Sequence, residues 1–106
     1  LGVRRSLVVQ HPWLPATLLK AFERSKVLAL ANLADTSASK VMLPFVDQQL
    51  HDARILMGGD FWPYGVAPNR ACLAYFLHQH HAQGLSQRLV AVEELFHPST
   101  FETARI

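Results

Sequence analysis

The sequence holds a single cysteine, Cys72, in 106 residues. A lone thiol excludes an internal disulfide and fits a reducing compartment, with the cytoplasm as the expected location, although an exported domain needing no bridge also meets it. Set inside a helical apolar pattern, Cys72 reads as a buried structural thiol rather than a nucleophile. No apolar run approaches the roughly 18–20 residues that cross a bilayer, so no membrane partner is expected. Charge is sparse: 17% of residues carry it, for a net +2, and the basic ones are scattered from Arg4-Arg5 to Arg105. That scatter argues against a nucleic-acid partner. Also missing are a Ser–His–Asp order, a glycine-rich phosphate loop, a Cys-x-x-Cys pair and a His-Glu-x-x-His helix. There is no internal repeat and no low-complexity tract. No signal peptide is visible, and the chain opens at Leu1 without methionine, as expected of a piece whose upstream part lies elsewhere.

What is present is apolar and helical. Half the residues are hydrophobic, which favours a globular chain, and the length suits one unit spanning 1–106. The expected class is mainly α, with three longer helices, short C-terminal helices and at most a strand remnant at the start. Leu1 to Val9, with its Leu7-Val8-Val9 run, reads as a β-like or mixed opening. From His11-Pro12-Trp13-Leu14-Pro15 onward, Leu14, Leu18, Ala21, Phe22, Ser25, Ala29 and Leu33 recur at helical spacing. Lys20, Glu23, Arg24 and Lys26 fall largely on the other side, predicting an amphipathic helix over Pro15–Leu33. Asp35 to Ser39 forms a polar connector that offers several caps. A second helix is predicted over Pro44–Met57, with Phe45, Val46, Gln49, Leu50, Ala53 and Leu56-Met57 inward and Gly58-Gly59 as its stop. A third is predicted over Pro68–Gln83, with Leu73, Phe76, Leu77 and His80 on one stripe. Gly84 stands where a left-handed cap belongs, and Leu85 is placed for the hydrophobic contact after it. Val92 to Phe96 gives a short helix, and Ser99 or Thr100 can cap a last turn through Arg105.

Between the second and third helices runs Gly58-Gly59-Asp60-Phe61-Trp62-Pro63-Tyr64-Gly65-Val66-Ala67-Pro68-Asn69-Arg70. Pro63 and Pro68 fix φ while the glycines permit positive φ, so this backbone is set rather than loose. Asp60, Trp62, Tyr64 and Arg70 are the residue types with which a cleft grips a small polar aromatic ligand. The competing reading is a connection whose aromatics cap the core.

Six histidines raise the question of a metal. His78 and His81 share the i, i+3 spacing of helical ligands, but His80 points elsewhere. Histidines near a helix C-terminus are favourable without a ligand, because the dipole there is negative, so no metal site is assigned. His11 and His97 each precede a proline and read as boundary residues, and Glu93-Glu94 complement the start of a short helix.

The run from Gly59 to Arg70, with Leu73, Phe76-Leu77, His80-His81, Gln83-Gly84-Leu85 and Val92-Glu93-Glu94-Leu95-Phe96 after it, resembles the C-terminal part of the 4,5-dihydroxyphthalate decarboxylases. Arg4-Arg5, His11-Pro12-Trp13-Leu14 and Lys20-Ala21-Phe22 share the likeness, which more distantly reaches the type 2 periplasmic binding proteins. The resemblance implies a two-lobed α/β parent with a ligand cleft, of which this chain is the last third. The implied activity is that of a carboxy-lyase in phthalate degradation, taking an aromatic dicarboxylate to protocatechuate and CO2 without a cofactor. On that reading Asp60, Tyr64 and His80 are candidates for proton transfer, and Trp62 and Arg70 for substrate binding. The alternative is a solute-binding protein that holds its ligand without chemistry. A piece cut from two lobes would also leave apolar surface through which it self-associates, on faces bearing Leu7, Val8, Phe45 or Phe76.

Overall fold

A computed structural model describes residues 1–37 and 41–101. Their elements in chain order are α1 (Arg5–Gln10), α2 (Leu14–Ala34), α3 (Val46–Met57), α4 (Val66–Ala82), α5 (Val92–Leu95) and a single 3-10 turn at Pro98–Thr100. No strand occurs among the described residues, which fits the mainly α expectation. The chain divides into two compact units, one of residues 1–20 with 64–106 and one of residues 21–63.

The first unit begins with a correction. Leu7-Val8-Val9 is helical in α1, where the Leu7 and Val8 N–H groups both donate to the Arg4 carbonyl, at 3.0 and 3.3 Å, and His11 N–H closes the turn on Leu7 at 2.8 Å. A strand with no neighbour leaves its backbone groups unpaired, whereas a helix satisfies them within itself. α4 starts at Val66, so Pro68 is its third residue, and its missing N–H falls in the first turn, where no intrahelical partner exists. At the other end the Leu85 N–H reaches the His80 carbonyl at 3.0 Å and the Gly84 N–H that of His81 at 2.9 Å. With Gly84 at φ 73°, this is the expected left-handed cap, in its two-bond Schellman form.

This unit has a small apolar core. Val66, Leu77 and Val92 are buried, and Leu73, Val90 and Phe101 pack against them. Val66, Leu73 and Leu77 are seven and four residues apart, hence on one face of α4. Cys72 and Phe76 each precede a core residue by one position and so lie about 100° off that face. Both are exposed, which corrects the buried thiol and removes Phe76 from the inward stripe.

In the second unit none of the described residues is buried. α3 starts at Val46 rather than Pro44, because Phe45 takes a left-handed conformation (φ 60°, ψ 25°) that cannot continue a helix. Val46, Leu50 and Ala53 form its half-buried side, whereas Phe45, Leu56 and Met57 are exposed instead of inward. Gly58 ends the helix with its N–H on the Arg54 carbonyl at 3.0 Å. α2 matches its predicted limits to within a residue, and its sheltered face agrees in part. Leu14, Leu18, Leu19 and Leu33 are half-buried, as expected of the apolar stripe. Glu23, Lys26 and Leu30 join Leu19 and Leu33 at spacings of four and three, while Phe22, Ser25 and Ala29 are exposed. The last turn expected through Arg105 runs beyond the described residues, as do Ala38 and Ser39 of the connector.

Candidate functional site

The candidate residues divide between the units. Asp60 and Trp62 belong to the unit of residues 21–63, and Tyr64, Arg70 and His80 to the other.

Asp60 is anchored by a residue that amphipathic reasoning placed on the solvent side. The Lys26 ammonium donates to both Asp60 carboxylate oxygens, at 3.3 and 3.2 Å, and to the Trp62 backbone carbonyl at 3.3 Å. It also pairs with Glu23, one turn earlier on α2, at 3.3 Å. The Lys26 side chain is only 11% exposed, against 56% for Asp60. Burial is the largest single influence on this ammonium and lowers its pKa. The hydrogen bonds from Asp60 and Glu23, with their charges, outweigh it and leave Lys26 above the ordinary lysine value. A sheltered lysine is tolerated because its donors are satisfied and its charge is matched. Trp62, by contrast, presents its indole to solvent at 66% exposure. Lys26 had a signal in the sequence: Leu19, Glu23, Lys26, Leu30 and Leu33 share one heptad-like stripe, with two charges at its centre.

In the first unit Tyr64 is half-buried just ahead of α4. The Asn69 side-chain amide donates to the Gly65 carbonyl at 2.8 Å and ties the first turn of α4 to its cap. Arg70 projects from the next position and forms an ion pair with Glu93 on α5. That pair lowers the Glu93 pKa, chiefly through the Arg70 hydrogen bond. Each partner keeps about half its side-chain surface in solvent (54% and 48%), so the Arg70 guanidinium is braced yet accessible. Arg88 grips Glu94 with two bonds of 2.9 and 2.6 Å, and Glu94 also accepts the Ala91 N–H at 2.9 Å. The Arg88 bond foremost, then that of Ala91, brings the Glu94 carboxyl down to about 2.

His80 sits ten residues beyond Arg70, about 15 Å along the helix axis. It is half-buried, with its ring 5.8 Å from that of Phe76. Arg70 and Tyr64 thus gather at the start of α4 and His80 at its end, a separation wider than one substituted benzene ring. His81 bonds the Ser86 carbonyl at 3.2 Å, and among the described residues no three His, Cys, Asp or Glu side chains gather as a metal site. An open concavity of about 470 Å³ lies between the end of α2 and the start of α3, lined by Leu33, Asp35, Val41, Phe45 and Asp47 among others. None of the candidate residues lines it. No described helix is long and apolar enough to cross a membrane.

No family model matches the chain. It is 56% identical, over all 106 residues, to 4,5-dihydroxyphthalate decarboxylase of Comamonas testosteroni. The chain spans 32% of that relative's length. Trp62, in the loop ahead of α4, and Arg70, on α4, thus both lie within the 106 residues over which the chain is similar to about a third of a 4,5-dihydroxyphthalate decarboxylase.

Proposed function

We propose that this chain is the C-terminal part of an aromatic-acid decarboxylase that converts 4,5-dihydroxyphthalate to protocatechuate and CO2. The observation that carries the reading is the 56% identity along the full chain. The parent is a two-lobed α/β protein of the periplasmic-binding-protein type, working in the cytoplasm, and the piece alone is inactive because one part of a cleft cannot enclose a substrate. Exposed Leu7, Phe45 and Phe76 favour self-association of the isolated piece, and sedimentation showing a monomer at high concentration overturns that part.

The chemistry follows from the substrate. Ionisation of the phenol para to one carboxylate pushes electron density onto the carbon that bears it. A proton added there makes that carbon tetrahedral, and the bond to the carboxylate then breaks. CO2 leaves, the bonding pair returns to the ring, and aromaticity is restored. The balance is one proton in and one CO2 out, with no external oxidant. The step requires a proton donor, a base for the phenol and a cation on the carboxylate that stays. Arg70 is the cation, since half its surface is free for a planar two-bond grip. Trp62 supplies an exposed face for stacking on the ring. Tyr64 offers a proton-transfer group at the same end of α4 as Arg70, whereas His80, ten residues further along that helix, is too distant to serve the ring that Arg70 holds. Asp60 offers a carboxylate already bonded to Lys26. The test is CO2 release from 4,5-dihydroxyphthalate by the full-length protein. Tight binding with no CO2 released overturns the reading in favour of a solute-binding protein.

A further inference from the structure

Lys26 is a sheltered ammonium inside the unit of residues 21–63, and it touches the candidate loop at two places. It holds both oxygens of the Asp60 carboxylate and the backbone carbonyl of Trp62, while Glu23 steadies it from its own helix. Between these anchors lies only Phe61, so three successive residues are fixed to one point on α2. Pro63 follows at once and restricts φ on the far side. The backbone from which the exposed Trp62 ring projects is thereby fastened at both ends, and the ring itself makes no part of the fastening.

A carboxylate with both oxygens occupied by a sheltered ammonium is poorly placed to carry a proton to a substrate. It is well placed to aim its neighbour. We propose that Lys26 and Asp60 are a pair of positioning residues that present Trp62 to the aromatic substrate, and that Asp60 is not a proton carrier. This assignment rests on the proposed decarboxylase reading.

The experiment uses the full-length protein carrying Lys26→Met, Lys26→Arg, Asp60→Asn and the Lys26→Met/Asp60→Asn double substitution, each also labelled with 5-fluorotryptophan. The Trp62 fluorine resonance is assigned by its loss in Trp62→Phe. Lys26→Met and Asp60→Asn should each lower kcat/KM about tenfold, mainly through KM, the size expected when hydrogen bonds to a charged group are lost. The double variant should be no worse than the worse single one, since both remove the same contact. Lys26→Arg should recover most of the loss, and the pH profile of kcat should keep its shape in Asp60→Asn. Lys26→Met and Asp60→Asn should both move the Trp62 resonance. Wild-type kinetics with an unmoved resonance in Lys26→Met overturns the proposal. So does an Asp60→Asn protein that loses kcat and one limb of the pH profile while Lys26→Met keeps both. Should Lys26→Met fail to fold, Asp60→Asn and Lys26→Arg carry the same two readouts. If the wild-type protein releases no CO2 from 4,5-dihydroxyphthalate, the functional reading fails by itself. The fluorine resonance then decides the clasp alone: movement in both variants upholds it and a fixed signal overturns it.

Discussion

The two compact units are held by different physics. The unit of residues 1–20 and 64–106 has a centre: Val66, Leu77 and Val92 are buried between α4 and α5, with two arginine–glutamate pairs on the outside. The unit of residues 21–63 has no buried described residue, and its most sheltered long-range link is the polar clasp of Lys26 on Asp60 and Trp62. Apolar burial is non-directional and tolerates small shifts, whereas a clasp of hydrogen bonds demands particular angles. A loop that has to aim one side chain gains more from the second kind, because it fixes where that side chain points. The contrast teaches that in this unit sheltered charge, and not buried volume, sets the backbone beside Trp62.

The contrast is broken most forcefully at Leu77. It is 7% exposed in a core of very few residues, so Leu77→Ala should cost ~2–5 kcal/mol through lost transfer energy and the cavity left behind. Leu50→Ala on half-buried α3 should cost clearly less. Urea unfolding of the full-length variants checks both, and equal losses would mean that the second unit has an apolar centre after all.

Lys26→Met comes next. Removing the ammonium leaves Asp60 and Glu23 without their shared cation, at ~1.5–3 kcal/mol for a charged hydrogen bond. The wild-type clasp also has an alkaline signature. Its folded pKa lies above the ordinary 10.5, so the stabilisation is complete below 10.5 and disappears as pH rises through the raised value. Urea midpoints followed from neutral pH to above 10.5 should fall more steeply in wild type than in Lys26→Met, and parallel curves would show that the clasp contributes nothing.

Most of the helical frame was legible in the sequence, because three-to-four apolar spacing and Gly84 each express a local rule. The Gly84 cap needs a residue at φ 73°, and glycine is the residue that accepts it at least cost. What was not legible depended on distant partners. Leu7-Val8-Val9 has strand-like residues, but a strand requires a neighbour that the described chain does not supply. Phe76 and Cys72 share an apolar neighbourhood with Leu77, and only the position of α5 shows which side of α4 is covered. Lys26 was assigned to the solvent side because charge is normally exposed, and Asp60, 34 residues on, reverses that assignment. The candidate set was legible as chemistry but not as geometry: nothing local in the sequence shows that Arg70 pairs with Glu93, 23 residues on.

Arg70 separates bracing from binding with a smaller structural effect. Half-exposed ion pairs contribute ~0–1 kcal/mol, so Arg70→Lys, which keeps the charge and loses the fork, should barely move the melting temperature. A clamp on the substrate carboxylate predicts that kcat/KM falls about tenfold or more in the same protein. A wild-type rate removes Arg70 from the site, and a parallel fall in rate and melting temperature leaves it a structural tie between α4 and α5.

The smallest effect belongs to Glu94, the acid that fastens the start of α5. Its pKa drops from 4.5 to about 2 because Arg88 holds both oxygens and the Ala91 N–H adds a third bond. A depressed carboxylate contributes stability that is complete above 4.5 and is lost as pH falls through that range towards about 2. The pair is open to solvent, so the change should appear locally, as fraying of α5, before it registers in global unfolding. A carboxyl-carbon titration by NMR should place the Glu94 midpoint near the low value in wild type. Arg88→Ala should move it part of the way back towards 4.5, and only part, because the Ala91 N–H remains. A midpoint unmoved by Arg88→Ala would assign the depression to the helix start alone, and the first unit would then depend on its apolar core more completely than the ion pairs suggest.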